Sequence, residues 1–186
     1  MSPHELKDLL HGCSVNDRTA QENLYKYFYA DMFRTCQRYT DDSHLALTIL
    51  NDAFLKVFRS ILQYKEQLGS FRSWLKTVVI HTAIDHTRKQ KGENQVVHIE
   101  QVQERGDDDY DLHYAWNQEA ISQHLKLLPP ITRIVINLFA FDGYTYKDIA
   151  AQLDITEATS RWHVAEARKR LKKSMQLNQP KLARNE

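Results

Sequence analysis

The sequence predicts an all-α chain: two helical domains joined by a flexible acidic linker, the second domain carrying a helix-turn-helix. Three observations lead there. Glycine and proline number only 5 and 4 in 186 residues, so few positions interrupt a helix. Apolar side chains recur three and four apart through most of the chain, the period of an amphipathic helix. That pattern lapses from Gly92 to about Ala115, where seven Asp and Glu stand against one Arg. A stretch that repels itself and buries no apolar face reads as a linker. The domains are therefore 1–91 and 116–178, with the linker at 92–115 and a polar tail at 179–186.

Bulk properties narrow the function classes. Apolar residues make up 42%, enough for packed cores. The net charge of +1 says nothing by itself, but basic stretches at 72–91 and 161–173 flank the acidic one. Cys13 and Cys36 lack metal or redox spacing and read as free thiols of an intracellular protein. With no apolar signal segment and no long apolar run, the expectation is a cytoplasmic protein without membrane insertion. No phosphate-binding Gly loop, Cys/His cluster or catalytic constellation is present, so no enzyme and no cofactor are expected. His81, Asp85 and His86 resemble metal ligands only superficially. Asp85 and His86 are adjacent and face different ways on a helix, so no metal is expected.

In chain order, Ser2-Pro3 opens a short helix to about His11, ended by Gly12. A second runs from about Ala20 to Tyr39 on the stripe Leu24, Tyr25, Phe28, Met32 and Cys36. Asp41-Asp42-Ser43 is a turn and cap. The third, from about His44 to Leu62, carries Ala46, Leu50, Ala53, Phe54, Val57, Phe58 and Ile61, a stripe wider than one packing partner needs. A polar loop, Gln63 to Ser70, precedes a helix from Phe71 to Lys91 with Phe71, Leu75, Val78, Val79 and Thr82 inward. Its surface holds Arg72, Lys76, Arg88, Lys89 and Lys91 against Asp85 alone. Trp74 beside these cations suits stacking of unpaired bases and equally suits a core. After the linker, helices are expected near Leu112 to Leu127 and from Ile131 to Phe141, with Gly143 as the break.

Thr145 to Lys173 then reads as two helices across a tight turn. Thr145 and Asp148 have capping-box spacing, Asp154 suits the left-handed turn position, and Thr156 caps the second helix. At about 100° per residue, Ser160, Val164, Ala167 and Leu171 face inward. Ala158, Thr159, Trp162, Ala165, Glu166 and Lys169 face out, with Arg161 at the flank. Six Lys and Arg stand against one Glu from Arg161 to Lys173. Arg161 can read guanine, Glu166 can accept from a cytosine amine, and Ala165 can meet a thymine methyl. Arg168, Arg170, Lys172 and Lys173 suit phosphates.

Two stretches together resemble a known family. Residues 128–173 resemble the promoter −35-binding domain of extracytoplasmic-function (ECF) sigma factors of the sigma-70 family. Residues 49–91 resemble the domain of that family that binds core RNA polymerase and opens the −10 element. The resemblance implies that Asp52, Phe54, Val57 and Phe58 dock on the clamp helices of the polymerase β′ subunit. It implies that Tyr64, Lys65 and Gln67 capture a flipped −10 base, while Trp74, His81, Asp85, Arg88 and Lys89 lie along the −10 DNA. Thr159, Arg161, Trp162, Ala165, Glu166, Arg168 and Lys169 fall at the −35-reading positions. Trp162 and Glu166 stand where small and basic residues are frequent in the family, which makes them the source of this chain's own promoter preference. The partners implied are core RNA polymerase, promoter DNA and, since such factors are often held by one, an anti-sigma protein. The rival reading is a helix-turn-helix regulator with an N-terminal helical effector or dimerisation domain.

Overall fold

A computed structural model describes residues 1–90 and 123–178; the expected linker at 92–115, the first part of the helix expected from Leu112 and the tail from 179 lie outside the described residues. The chain divides into two compact units, Met1–Asn94 and Gln95–Glu186. Among the described residues every regular element is helical.

The first unit comprises α1 (Pro3–Ser14), α2 (Arg18–Tyr39), α3 (Ser43–Ser60) and α4 (Phe71–Gln90). Two 3-10 turns, Ile61–Gln63 and Glu66–Leu68, lie between α3 and α4. Each of the first three helices starts on a side chain that satisfies otherwise orphaned N–H groups. Ser2 and Glu5 form a reciprocal capping box on α1. Asp17 accepts from Thr19 and Ala20, and Asp42 from His44 and Leu45.

The expected stop at Gly12 is corrected. α1 continues to Ser14, and the chain turns at Asn16 with φ 61°. Gly12 serves a close approach instead: a Cβ there would lie 2.6 Å from the Cβ of Ala20. α2, α3 and α4 pack against one another, so α3 has two internal partners. Its buried set is Ala46, Ile49, Leu50, Ala53, Phe54 and Val57. Internal packing thus accounts for most of that stripe's breadth, with Phe58 left partly exposed. α4 buries Phe71, Leu75, Val79, Ile80, Thr82, Ala83 and Ile84, with Val78 only half-buried.

The second unit comprises a helical turn at 123–125, α5 (Pro130–Ala140), α6 (Tyr146–Leu153) and α7 (Glu157–Asn178). Thr132 through Leu138 of α5 are all buried, which makes α5 the central helix of its unit. Two of the buried polar side chains there, Arg133 and Thr132, make hydrogen bonds. Arg133 donates to the carbonyls of Lys126 at 2.8 Å and Leu128 at 3.3 Å. The Thr132 hydroxyl meets His163 Nδ1 of α7 at 3.0 Å. Gly143, at φ 74°, turns the chain toward α6.

Candidate functional site

α6 and α7 form the expected pair around a tight turn. The Thr145 hydroxyl accepts from the Asp148 N–H at 3.1 Å, and the Asp148 carboxylate accepts from the Thr145 N–H at 3.0 Å. The Thr145 hydroxyl also donates to the Asp148 carboxylate at 2.6 Å, and this bond, with the one from the Thr145 N–H, holds the Asp148 carboxyl below its ordinary pKa. Asp154 adopts the left-handed conformation, φ 54° and ψ 49°. Thr156 Oγ1 then accepts from the Thr159 N–H at 3.0 Å and starts α7.

On α7, Ser160, Val164, Ala167 and Leu171 are buried as the spacing predicts, and His163 joins them. Ala158, Arg161, Trp162, Ala165, Lys169 and Arg170 are exposed; Glu166 and Arg168 are half-buried. Thr159 departs from expectation. It is 6% exposed, lies one turn before buried His163, and spends its hydroxyl on Thr156 Oγ1 at 2.8 Å. It shapes the turn and presents nothing outward.

Several outward polar groups already have partners. Arg161 approaches Glu157 at 3.5 Å and lies 5.2 Å from the centroid of the Tyr146 ring. Arg170 Nε donates to Glu166 Oε1 at 2.5 Å. Arg168 lies 5.8 Å from the centre of the Phe139 ring.

In the first unit, the loop before α4 rests on an aromatic cluster. Tyr64 meets buried Phe71 edge-on at 5.3 Å and Trp74 at 5.8 Å, and its hydroxyl donates to the Gly69 carbonyl at 3.2 Å. Trp74 is half-buried, so it belongs partly to the core and partly to the surface. Lys65 and Gln67 are exposed. Leu62 and Leu68 are 81% and 84% exposed, a feature the sequence reading missed because neither falls on a helical stripe.

Along α4, Arg88 and Lys89 are exposed. His81 is half-buried, and burial pushes its imidazole below the ordinary value, against the pull of Asp85. Asp85 takes Lys56 of α3 at 3.0 Å, and His86 meets Asp52 of α3 at 2.8 Å. Among the described residues no group of three or more His, Cys, Asp and Glu is placed to hold a metal. None of their helices is long and apolar enough to cross a membrane.

Two of the four residues expected on the polymerase-docking face are core. Phe54 is 2% and Val57 0% exposed, because α3 turns them between α2 and α4. Asp52 and Phe58 remain partly exposed. Leu55, 52% exposed, is a large apolar side chain of α3 that faces outward and lies off the stripe.

Residues 24–93 match the family described as Sigma-70 region 2, and residues 118–171 match Sigma-70, region 4. The chain belongs to the sigma-70 family. This sigma factor is 25% identical over 158 residues to the ECF RNA polymerase sigma factor SigM of Bacillus subtilis (strain 168), covering 81% of this chain and 92% of that one. It is 28% identical over 176 residues to SigM of Mycobacterium tuberculosis (strain ATCC 25618 / H37Rv), covering 90% and 84%. In fold it is similar to the sigma factor RpoE of Bartonella quintana, solved with the anti-sigma factor NepR. That likeness has a TM-score of 0.52 and 19% identity, over 85% of this chain and 98% of that one. The regions are of the sigma-70 family and the relatives are ECF sigma factors, so the chain is an RNA polymerase sigma factor of the ECF kind. α6 and α7 as far as Leu171 lie within the region 4 match, and α3, α4 and their connecting loop within the region 2 match.

Proposed function

We propose that this sigma factor works as a cytoplasmic, non-enzymatic specificity subunit with two promoter contacts. The observation that carries the reading is the presence of region 2 and region 4 on one chain, in that order. The outward side of α3 (Asp52, Leu55 and Phe58) docks on the clamp helices of the β′ subunit of core RNA polymerase. Tyr64, Lys65 and Gln67 receive an unpaired base of the −10 element. Trp74, His81, Asp85, Arg88 and Lys89 follow the strand along α4. Arg161, Trp162, Ala165, Glu166 and Lys169 read the −35 duplex, with Arg168 and Arg170 toward phosphates. Duplex contacts at −35 set register, and capture of an unpaired base offsets an unstacking cost of a few kcal/mol. The acidic residues of 92–115 imitate nucleic acid in the polymerase cleft. An anti-sigma protein is a fitting further partner, as NepR is for its RpoE.

Run-off transcription tests this directly. Promoter-specific transcripts should require both this protein and core polymerase. Duplex binding by the protein alone, with no promoter-specific transcript when core enzyme is added, would identify a conventional regulator instead.

A further inference from the structure

Four side chains from three helices of the second unit form a continuous run. Arg161 of α7 lies over Tyr146 of α6 at 5.2 Å. Tyr146 stacks on Phe139 of α5, with centroids 4.7 Å apart and planes 15° from parallel. Arg168 of α7 lies 5.8 Å from the centre of Phe139. Arg161 and Arg168 are seven residues apart, which places them on one side of α7 about 10.5 Å apart along its axis. The helix therefore grips an aromatic pair between two of its own arginines.

We propose that Tyr146, carried on Phe139, is a positioning residue that fixes Arg161 for base reading and so sets part of the −35 specificity. The inference rests on the reading of α7 as the −35 helix. A free arginine loses much rotamer freedom on meeting a base, and holding it beforehand removes that cost from binding. A ring beneath a guanidinium is suited to this. It occupies the face of the group, while the N–H donors point outward in the plane and stay available for the two acceptors of guanine. Arg161 retains 54% side-chain exposure, so the held group still faces solvent. Its contact with Glu157, at 3.5 Å, is too long to define the orientation alone. Arg168 holds the other end through its contact with the Phe139 ring.

The test uses holoenzyme reconstituted with full-length chain and duplexes selected by the wild-type holoenzyme from random-sequence DNA. Arg161→Ala first identifies the −35 base pair whose preference depends on Arg161. Tyr146→Phe, which keeps the ring, should preserve that preference. Tyr146→Leu should reduce it roughly two- to fivefold, the worth of a cation over an aromatic face. In the Arg161→Ala background, Tyr146→Leu should cause no further loss of preference. Phe139→Leu, which removes the platform under Tyr146, should act in the same direction and covers the case in which Tyr146→Leu fails to fold. The proposal is overturned if these variants weaken all duplexes equally, or if their loss persists without Arg161. If Arg161→Ala alters no base preference, the −35 reading of this face falls and the inference with it. Loss through Arg161 with no effect of Tyr146 or Phe139 overturns the inference alone.

Discussion

At the scale of single residues, burial decides more than residue type. Gly12 sits in the last turn of α1, and Ala20 leaves no room there for a larger group. Gly12→Val should lower stability by about 2 kcal/mol through overpacking of α1 on α2, and thermal unfolding would show it as a fall of several degrees. An unchanged midpoint would mean α1 simply moves away. The two thiols behave likewise. Burial raises Cys13 to about 11 and Cys36 to about 12 from an ordinary 9.0. Both stay protonated in the folded chain near neutrality, so a disulfide reagent at pH 8 should modify them far more slowly than in guanidinium. Since the unfolded thiols ionise first, their contribution to stability is intact below pH 9.0 and declines above it. Rapid labelling of native protein would contradict the burial. Thr159 belongs with these cases: helical geometry alone turned it outward, and only its neighbours Thr156 and His163 reveal that it is enclosed.

Elements were legible where their signals are local. Thr145 and Asp148, Asp154, and Thr156 are caps and turns whose chemistry lies within a few residues, and each appears where the sequence put it. Thr145→Ala should therefore cost about 1 kcal/mol in the second unit, read from its unfolding transition, with little effect on the first. The face of α3 was not legible, because the stripe cannot say how many neighbours it serves. With α2 and α4 both against it, Phe54 and Val57 turn inward and Leu55 is left outside. The same helix carries two bridges to α4, Asp52–His86 and Lys56–Asp85, one turn apart. Both are at least partly solvated, so each is worth about 0–1 kcal/mol to the fold. Under the proposed docking of α3, their larger consequence is that polymerase would compete with His86 for Asp52. His86→Ala should leave core affinity equal or higher, whereas Asp52→Ala should lower it, in a pull-down with labelled core enzyme. A marked loss of core binding in His86→Ala would place the imidazole itself at the interface.

For the whole molecule, the sequence conveyed the order of its parts better than their surfaces. Two periodic regions separated by an acidic interruption were enough to foresee two helical units, because periodicity and charge need no partner to be read. Which side chains remain for partners is a tertiary property, and there Leu55, Leu62 and Leu68 were missed while Phe54, Val57 and Thr159 were overcounted. The division into units carries a mechanistic consequence. Leu55 and Glu166 lie in different compact units, so their substitutions should act separately. Leu55→Ala should weaken core polymerase binding severalfold by removing a large apolar contact, without changing which −35 sequence is preferred. Glu166→Ala should shift the −35 preference at one base pair by about 1–3 kcal/mol and leave core affinity unchanged, although it also releases Arg170 from its 2.5 Å contact. In promoter binding by holoenzyme the double variant should then show the sum of the two free-energy losses to within about 0.5 kcal/mol. A deficit clearly larger or smaller than that sum would mean that core docking on α3 and base reading on α7 are coupled through the polymerase, and the two contacts could no longer be treated as independent readers of one promoter.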